Sequence, residues 1–479
     1  MFQGSRGLPV ARHSEQIRII SPAQRCDPPL CSSYWMEEAG GLPPPANRLS
    51  GGRYDHVVIG GGFVGLWTAL HVRQLQPDAR IAVIERYRCG SGASGRNGGS
   101  VMSWWSEIGA LLAIADAAEA VRLAQASQEA IESIEQFCLE HGIDAHFTRG
   151  GWLWTATLDP HRDSWAEVLK HCERLGHMPF DVLRPQDVAV RTGSPVHLHG
   201  ILEPGAVTVQ PARLVIGMRR VALEQGIQIF EETPVTHIET GDPVRVHTDD
   251  GTVTAQSVVL ATNAWAAAIP ALSRLIVPVN SSIVVTEPVR DVLHGSGWRG
   301  DEAINDSQTM VNYYRKTRDG RLAFGKGTGA LARGSHIDAT FSAHEPSLRL
   351  TEADLRHTYP QLASARVTHR WSGPIDRTYG NLPVLGTVPG TGNVHYGIGW
   401  SGHGVAPSYL GGRILARLAL NIRDEWSECA LVNRVARRFP VEPFRSVGGN
   451  VIRNAVLRKE RAAREGRAVS WVDMMLAKL

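Results

Sequence analysis

The sequence YDHVVIGGGFVGLWTALHVRQLQPDARIAVIE occupies residues 54–85 and decides the fold. A short apolar run at residues 57–59 leads directly into a turn of three glycines, and a helix-like segment follows at residues 66–76. Pro77 and Asp78 end that segment, and a second apolar run then reaches Glu85. This order predicts a strand, a tight turn, a helix and a second strand, which together form a βαβ unit that binds a nucleotide.

Three glycines of this unit have separate expected roles. Gly60 permits the tight turn, Gly62 lets the backbone approach a pyrophosphate, and Gly65 lets the helix pack closely on the strand. Glu85 lies 20 residues beyond Gly65, where a carboxylate can accept hydrogen bonds from both hydroxyls of an adenosine ribose. NAD and FAD share the ADP moiety, so this unit does not separate them. Its expected cofactor-binding residues are Gly60, Gly62, Phe63, Val64, Gly65 and Glu85.

The next stretch, residues 86–99, reads RYRCGSGASGRNGG and contains five glycines. Such a stretch leaves main-chain N–H groups uncovered, while Ser94, Arg96 and Asn97 supply side-chain donors. It could therefore grip a pyrophosphate and a flavin ring. A flexible surface linker is the alternative interpretation.

Together with GGGFVG, this stretch resembles the FAD-dependent D-amino-acid oxidase superfamily, and it is most similar to the gamma-glutamylputrescine oxidoreductase-like amine oxidases. The resemblance continues in order from about Tyr34 along most of the chain. Residues 304–327 and 371–377 look like a branch that is linked to aminophosphonate breakdown. The other motifs that carry the resemblance are ETPVTHI at residues 232–238, SVVLATNAW at 257–265, NLPVLG at 381–386 and HYGIGWSGHG at 395–404.

The resemblance implies FAD, with the late glycine loop under the flavin pyrimidine ring and the next helix N-terminus pointing at N1 and the C2 carbonyl. A helix N-terminus stabilises the negative charge of a reduced flavin. Cys89 is a candidate for covalent attachment, but a small buried thiol is the commoner role, so we expect dissociable FAD. The further cofactor residues are Arg86, Gly92, Ala93, Ser94, Arg96, Asn97, Gly98, Gly99, Val235, Ala261, Thr262, Trp265, Gly399, Gly402, His403, Gly404 and Val405.

The expected fold class is α/β (mixed α+β), with an interrupted Rossmann-like FAD-binding domain and an antiparallel-sheet substrate domain. Strand-like residues 311–316 and 322–324 flank the turn Asp319-Gly320 and predict a hairpin. The expected domains are a poorly ordered extension at residues 1–50, an FAD-binding domain at 54–103, 196–277 and 366–425, a substrate domain at 104–195 and 278–365, and a basic helical tail at 426–479.

The expected reaction is oxidation of a primary or secondary amine, in which a hydride passes from carbon to flavin N5 and the imine is then hydrolysed. Candidate substrates are N-alkyl amines, polyamine derivatives and aminophosphonates. Sarcosine oxidase-like relatives hold a substrate carboxylate with a lysine after G-H-G, where this chain has Val405 and Ala406. This difference from the sarcosine oxidase-like relatives disfavours amino acids as substrates. The alternatives are a D-amino-acid or glycine-type oxidase or dehydrogenase, an NAD-dependent dehydrogenase and a non-catalytic flavoprotein subunit.

Five residues are candidates for catalysis or substrate binding. Lys326 lies between two glycines that permit close approach, so it could bind an anion or assist oxygen chemistry. His403 could move a proton at neutral pH, although a structural role is equally expected. Tyr313 and Tyr314 alternate across a strand, so at most one should face the flavin. The three catalytic candidates are Lys326, His403 and Tyr313, and the two substrate candidates are Arg315 and Arg377.

The bulk composition excludes several classes of protein. Fifty Lys and Arg against 47 Asp and Glu give a net charge of +3, which is too balanced for nucleic acid or an anionic membrane as the main partner. Six scattered cysteines indicate a reducing cytoplasm and neither a metal site nor a disulfide scaffold. No apolar run approaches the roughly 18 residues of a membrane span. Oxygen or another acceptor should reoxidise the flavin, and the basic tail could contact a second subunit.

Overall fold

The computed structural model describes residues 16–19, 32–338 and 341–478 of the 479-residue chain, and every statement on its elements refers to these ranges. Their strands are β1 (Gln16–Arg18), β2 (Gly52–Ile59), β3 (Ile81–Ile84), β4 (Ser100–Val101), β5 (Trp152–Ala156), β6 (Asp181–Leu183), β7 (His199–Glu203), β8 (Val207–Thr208), β9 (Gln228–Phe230), β10 (Val235–Glu239), β11 (Val244–Thr248), β12 (Thr252–Leu260), β13 (Val277–Thr286), β14 (Ala303–Asp306), β15 (Asn312–Lys316), β16 (Leu322–Lys326), β17 (Val367–Arg377), β18 (Val384–Thr387) and β19 (Val394–Ile398).

Helices connect and cover these strands. In the described ranges they are α1 (Tyr34–Glu38), α2 (Phe63–Leu75), α3 (Ile108–Leu112), α4 (Ala117–Glu140), α5 (Ala166–Arg174), α6 (Pro185–Thr192), α7 (Pro211–Glu224), α8 (Arg290–Gly295), α9 (Glu345–Thr358), α10 (Val405–Ala419), α11 (Phe444–Arg464) and α12 (Trp471–Leu476). None of them is long and apolar enough to cross a membrane.

The first large sheet contains the predicted βαβ unit. Its strand order is β1-β10-β11-β12-β2-β3-β9, with β19 beside β12 and β18 beside β19. Strands β12, β2, β3 and β9 run parallel, and β19 is parallel to β12. Helix α2 lies between β2 and β3, which confirms the strand, turn, helix and strand predicted for residues 54–85.

Close backbone packing fixes the turn between β2 and α2. A Cβ atom on Gly65 would lie 1.9 Å from the carbonyl oxygen of Gly60, so only glycine lets the helix approach the strand this closely. Gly60 itself has a φ of +115°, and its own Cβ would lie 2.4 Å from the carbonyl oxygen of Ala261. The turn is therefore locked between α2 and the end of β12.

The second large sheet is mostly antiparallel, with strand order β17-β13-β16-β15-β14-β5-β7-β6 and one parallel pair, β5 with β14. The predicted hairpin is present as β15 and β16. The expected domain ranges need correction, because β7 and β17 fall in segments assigned to the FAD-binding domain and yet pair within this second sheet. Strand pairing over such long separations leaves no local mark in the sequence.

The expectation of a poorly ordered extension is wrong for the described part of residues 1–50. Strand β1 pairs with β10 at the edge of the first sheet. Tyr34, Trp35 and Met36 of α1 are buried, and Ser33 Oγ donates to the carbonyl oxygen of Gly95 at 2.7 Å. Residues 1–15 and 20–31 lie outside the described residues.

Helix α11 is held against the second sheet by buried ionic groups. Lys326 Nζ lies 2.8 Å from Asp354 Oδ2 of α9, and Arg464 Nη1 of α11 lies 2.7 Å from Asp354 Oδ1. Glu460 of α11 accepts from the main-chain N–H of Met310 at 3.0 Å. The tail is therefore docked on the sheet through charged residues.

The large apolar side chains of helix α12 do not anchor the tail to the body of the protein. Trp471, Met474 and Met475 are 70%, 45% and 52% exposed. Asp473, on the same short helix, is buried and lies 2.6 Å from the guanidinium of Arg458. Helix α12 therefore turns its polar side towards α11.

A buried ion pair on α7 yields a stability prediction. Arg219 Nη2 lies 2.7 Å from Glu231 Oε2, and Glu231 also accepts from the main-chain N–H of Cys89 at 2.8 Å. Because Glu231→Gln would leave the buried guanidinium without a charged partner, we expect it to lower the free energy of unfolding by about 3–5 kcal/mol. Denaturant unfolding measures the change.

The same helix offers a matched control. Arg220 and Glu224 form an exposed pair at 2.8 Å, so Glu224→Gln should cost about 1 kcal/mol or less. Equal losses in the two variants would contradict the assignment of the buried pair as the stabilising one.

Candidate functional site

One cavity of about 590 Å³ joins the two glycine turns, a volume that is ordinary for a cofactor or substrate site. Gly60 and Gly62 of the early turn and Gly402 and Gly404 of the late turn all line it. Strands of both large sheets complete the wall. The expected cofactor residues that line the cavity are Gly60, Gly62, Phe63, Val64, Glu85, Arg86, Gly92, Ala93, Ser94, Asn97, Gly98, Val235, Ala261, Thr262, Trp265, Gly402, His403, Gly404 and Val405.

Four expected cofactor residues do not line the cavity. Gly65 packs α2 on the β2 turn, Gly99 lies against the carbonyl oxygen of Val209, and Gly399 donates its N–H to a carboxylate behind the late turn. Arg96 is buried, with Nε donating to Ser91 O at 2.8 Å and Nη1 to Ser372 O at 2.9 Å. These four residues support the cavity wall from behind, and their direct contact with the cofactor stays a prediction.

The nucleotide end of the cavity is built around Glu85. Its carboxylate accepts from the main-chain N–H of Gly61 at 2.7 Å and of Tyr87 at 2.9 Å. Burial raises the pKa of Glu85, and these two N–H groups oppose that rise. The donors fix the carboxylate at the end of β3, where a ribose would meet it in this class of fold.

The wall contains features that a bound nucleotide would complete. A Cβ atom on Gly62 would lie 2.9 Å from Ser94 Oγ, so the turn leaves a narrow cradle that glycine keeps open. Thr262 Oγ1 lines the cavity and is buried without a hydrogen-bond partner among the described residues. A buried polar atom without a partner is costly unless a ligand or water satisfies it. The residues present therefore fit FAD.

Asp376 fixes the late glycine turn, and sequence reasoning did not single it out. This fully buried carboxyl group on β17 accepts from the N–H of Gly399 at 2.6 Å and of Trp400 at 3.1 Å. Asn263 Nδ2 lies 3.2 Å from it. Burial raises the pKa of Asp376 to about 7. Its position within residues 371–377, one of the segments that carry the family resemblance, was the one available signal.

Tyr313 lines the cavity, whereas Tyr314 packs in the core. The Tyr313 ring lies over Gly325, where a Cβ atom would be 2.1 Å from Cε2. Its hydroxyl group lies 2.8 Å from Ser281 Oγ, and burial raises its pKa to about 12. Tyr313 is therefore a neutral hydrogen-bonding group at physiological pH.

Lys326 does not line the cavity, so its candidate catalytic role is wrong. Gly325 and Tyr313 share the cavity side of the sheet, and successive residues of a strand face opposite sides. Lys326 accordingly points to the other face, where it pairs with Asp354 and donates to the carbonyl oxygen of Met310 at 2.7 Å. The flanking glycines, Gly325 and Gly327, lie on the opposite face of the strand from Lys326, where Gly325 makes room for the Tyr313 ring.

Arg315 is also corrected as a substrate residue. It lies on the Tyr313 side of β15 but two residues further along, beyond Gly99. Its guanidinium carbon lies 4.8 Å from the ring centroid of Trp35, in the wall of a second cavity.

His403 and Arg377 do line the main cavity and share one acidic neighbour. His403 Nδ1 lies 3.3 Å from Glu107 Oε1. Burial lowers the pKa of Arg377, and Glu107 opposes that shift. Arg377 is an exposed residue at the end of β17, and it lines the cavity. Its substrate role stays a prediction that this position permits.

The C-terminal helices contribute lining residues that sequence reasoning missed. Gly449, Ile452, Arg453 and Val456 of α11 and Ala477 after α12 all line the main cavity. Arg453 Nε donates to the carbonyl oxygen of Thr328 at 2.6 Å, and burial lowers its pKa. No local motif marked these residues, because their position depends on the docking of α11.

One group of possible metal ligands lies outside the main cavity. His237, Glu239 and His247 have ligand atoms within 4.8 Å of one another on the β10-β11 hairpin. Arg245 Nε donates to Glu239 at 2.7 Å, so a cation already faces that carboxylate.

The raised pKa of Asp376 yields a prediction on pH. Its native pKa of about 7 exceeds the unfolded value of about 3.9. Between these two values the native state keeps a proton that the unfolded state releases. The contribution of Asp376 to the free energy of unfolding is therefore largest below about pH 4, and it falls as the pH rises to about 7. Asp376→Asn should flatten this fall by up to about 1.4 kcal/mol per pH unit.

Denaturant unfolding across that pH window measures the slope. Asp187→Asn is the control, because Arg184 lowers the pKa of Asp187 and places its titration at lower pH. An unchanged slope in Asp376→Asn would contradict the assignment.

The chain resembles known proteins along most of its length. The family described as DAO, FAD dependent oxidoreductase, matches residues 55–418. Gamma-glutamylputrescine oxidoreductase of Escherichia coli (strain K12) is 29% identical over 81% of this chain and 88% of that relative. An oxidoreductase designated OrdL of Rhizobium meliloti (strain 1021) is 30% identical over 90% of this chain and 96% of that relative.

A solved structure supports the same fold. Glycine oxidase from Geobacillus kaustophilus superposes with a TM-score of 0.65 and 22% identity, covering 80% of this chain and 100% of that one. Helix α11 and Ala477 lie beyond the matched family residues although they line the cavity. The match over 364 residues is decisive, and the chain belongs to the DAO family of FAD-dependent oxidoreductases.

Proposed function

We propose that the chain oxidises an amine that also carries an acidic group, giving an imine that hydrolyses to a carbonyl compound. FAD, when bound, accepts a hydride from the substrate carbon. The observation that carries the proposal is the shared cavity, in which both glycine turns meet polar groups of the second sheet and arginines of β17 and α11. The gamma-glutamylputrescine oxidoreductase relative supports an amine substrate.

Asn305 is suited to hold the amine. Its side chain lines the cavity, and Oδ1 is buried without a hydrogen-bond partner among the described residues. A neutral amine N–H would satisfy this oxygen, which otherwise costs free energy. The hydroxyl groups of Tyr313 and Ser281 form a second polar point on the same wall. Two fixed polar points orient a substrate better than one.

Arg377 and Arg453 are suited to hold the acidic group. Both line the cavity, and burial lowers the pKa of each guanidinium. Within the described residues no carboxylate forms an ion pair with Arg453, so its charge is available to a ligand. Guanidinium groups bind carboxylate and phosphonate oxygens through paired hydrogen bonds.

A glycine-type or D-amino-acid oxidase is the second candidate. The same arginines would suit an α-carboxylate, which favours that alternative. Against it, buried Val405 and Ala406 stand where sarcosine oxidase-like enzymes hold the carboxylate with lysine. We therefore propose a substrate whose acidic group is distant from the amine.

An anaerobic screen tests the proposed substrate class. Polyamine derivatives with a carboxylate, aminophosphonates, simple N-alkyl amines and amino acids are each mixed with the FAD-loaded protein, and loss of flavin absorbance is followed. We expect the first two groups to bleach the flavin fastest. Bleaching by α-amino acids alone would contradict the proposal, and bleaching by no amine would overturn it.

Arg453→Met provides a sharper prediction for the leading substrate. Loss of a charged hydrogen bond should raise the concentration for half-maximal bleaching about tenfold or more. Arg349→Met is the control, because this exposed arginine pairs with Glu345 on α9, outside the cavity. Equal effects in both variants would contradict the assigned role of Arg453.

The mode of flavin attachment can be checked by denaturing the protein. Cys89 Sγ lies beside Gly61 rather than in the cavity wall, and burial raises the pKa of its thiol. Because a protonated thiol is a poor nucleophile, we expect all FAD to appear in the supernatant after heating. Yellow colour that stays with the precipitated protein would contradict non-covalent binding.

A further inference from the structure

A second cavity of about 570 Å³ shares no lining residue with the main cavity. Its wall comes from α1, from the end of β15 and from the turn between β15 and β16. Threonine and tyrosine hydroxyl groups are also present. Its cationic residues are Arg290, Arg299, Arg315, Lys316 and Arg318.

Arg315 is the unusual member of this group. It is only 5% exposed, and within the described residues its guanidinium makes no hydrogen bond and no ion pair. Its guanidinium lies over the Trp35 ring at 4.8 Å, which leaves the donor edges without acceptors. A cation–π contact recovers about 2 kcal/mol at most when desolvated. Burial lowers the pKa of Arg315 to about 10.

The acidic residues of this wall do not neutralise Arg315. Each of the three carboxylates faces a different cation, so the charge of Arg315 stays uncompensated. A buried cation without a partner is strongly destabilising. The shortest nitrogen–oxygen distances of these pairs are 2.9 Å for Glu38–Arg213, 2.6 Å for Asp319–Arg321 and 3.6 Å for Asp301–Lys316.

We propose that this second cavity binds a small molecule with two or more phosphate or carboxylate groups, and that Arg315 is its buried contact. The oxyanion supplies the acceptors that Arg315 lacks, and the surrounding cations favour a multiply charged ligand. Arg315 Nη2 would lie 3.1 Å from a Cβ atom on Gly99, so the ligand would sit behind the loop that borders the main cavity. The proposal is independent of the amine substrate.

Isothermal titration of the FAD-loaded full chain with pyrophosphate and, separately, with citrate tests this proposal. We expect saturable binding of at least one probe, and the preferred probe identifies phosphate or carboxylate chemistry. Arg315→Met should weaken that binding about tenfold or more, because a charged hydrogen bond is lost. Binding of neither probe overturns the proposal.

Two control variants separate this site from general charge effects and from the main cavity. Arg349→Met removes an exposed arginine elsewhere, and Arg453→Met removes one from the main cavity. Both should bind the probe as the unchanged protein does. Equal weakening by either control and by Arg315→Met overturns the proposal.

Arg315→Met could also weaken binding by changing the packing on Trp35, so its thermal stability is measured as a second readout. Without added oxyanion, Arg315→Met should unfold at no lower temperature than the unchanged protein, because it removes an uncompensated buried charge. The probe should raise the unfolding temperature of the unchanged protein but not of this variant. If Arg315→Met does not fold, Arg299→Met, which removes an exposed cation of the same wall, must weaken binding several-fold or the proposal fails.

Discussion

The carboxyl group of Asp376 joins the two large sheets at the main cavity. It belongs to β17 of the second sheet, and it holds the N–H groups of Gly399 and Trp400 just after β19 of the first sheet. Two main-chain donors converging on one buried carboxyl group fix the late glycine turn against the substrate wall. The contact therefore positions the late turn against the second sheet, whereas β2 and β19 of the first sheet carry both turns.

The C-terminal helices then close the cavity that Asp376 organises. Helix α11 docks through Glu460 and Arg464, which contact the second sheet and α9. The docking brings Arg453 to the wall, outside the residues that match the DAO family. This position supports the proposed contact between Arg453 and the acidic group of the substrate. Lys326 contributes by neutralising Asp354 rather than by chemistry.

The local parts of the fold could be predicted from the sequence, and the non-local parts could not. The β2-α2-β3 unit and the β15-β16 hairpin follow from short-range patterns of glycine and apolar residues. Lys326 was misassigned because a sequence can predict that side chains alternate along a strand but not which of them face the cavity. Gly325 lies on the face of Tyr313, which lines the cavity, and Lys326 lies on the other face. Asp376 and Arg453 were missed because their partners lie far away in the sequence.

FAD affinity, measured in single variants of each glycine turn, tests whether the two turns build one cofactor site. Gly62→Ala would place Cβ 2.9 Å from Ser94 Oγ, and Gly402→Ala would strain a residue with a φ of +93°. Gly226→Ala imposes comparable backbone strain at a φ of +76° with no neighbour within 4 Å. We expect weaker FAD binding in both turn variants and unchanged binding in Gly226→Ala. Unchanged FAD affinity in either turn variant would contradict a single site built by both turns.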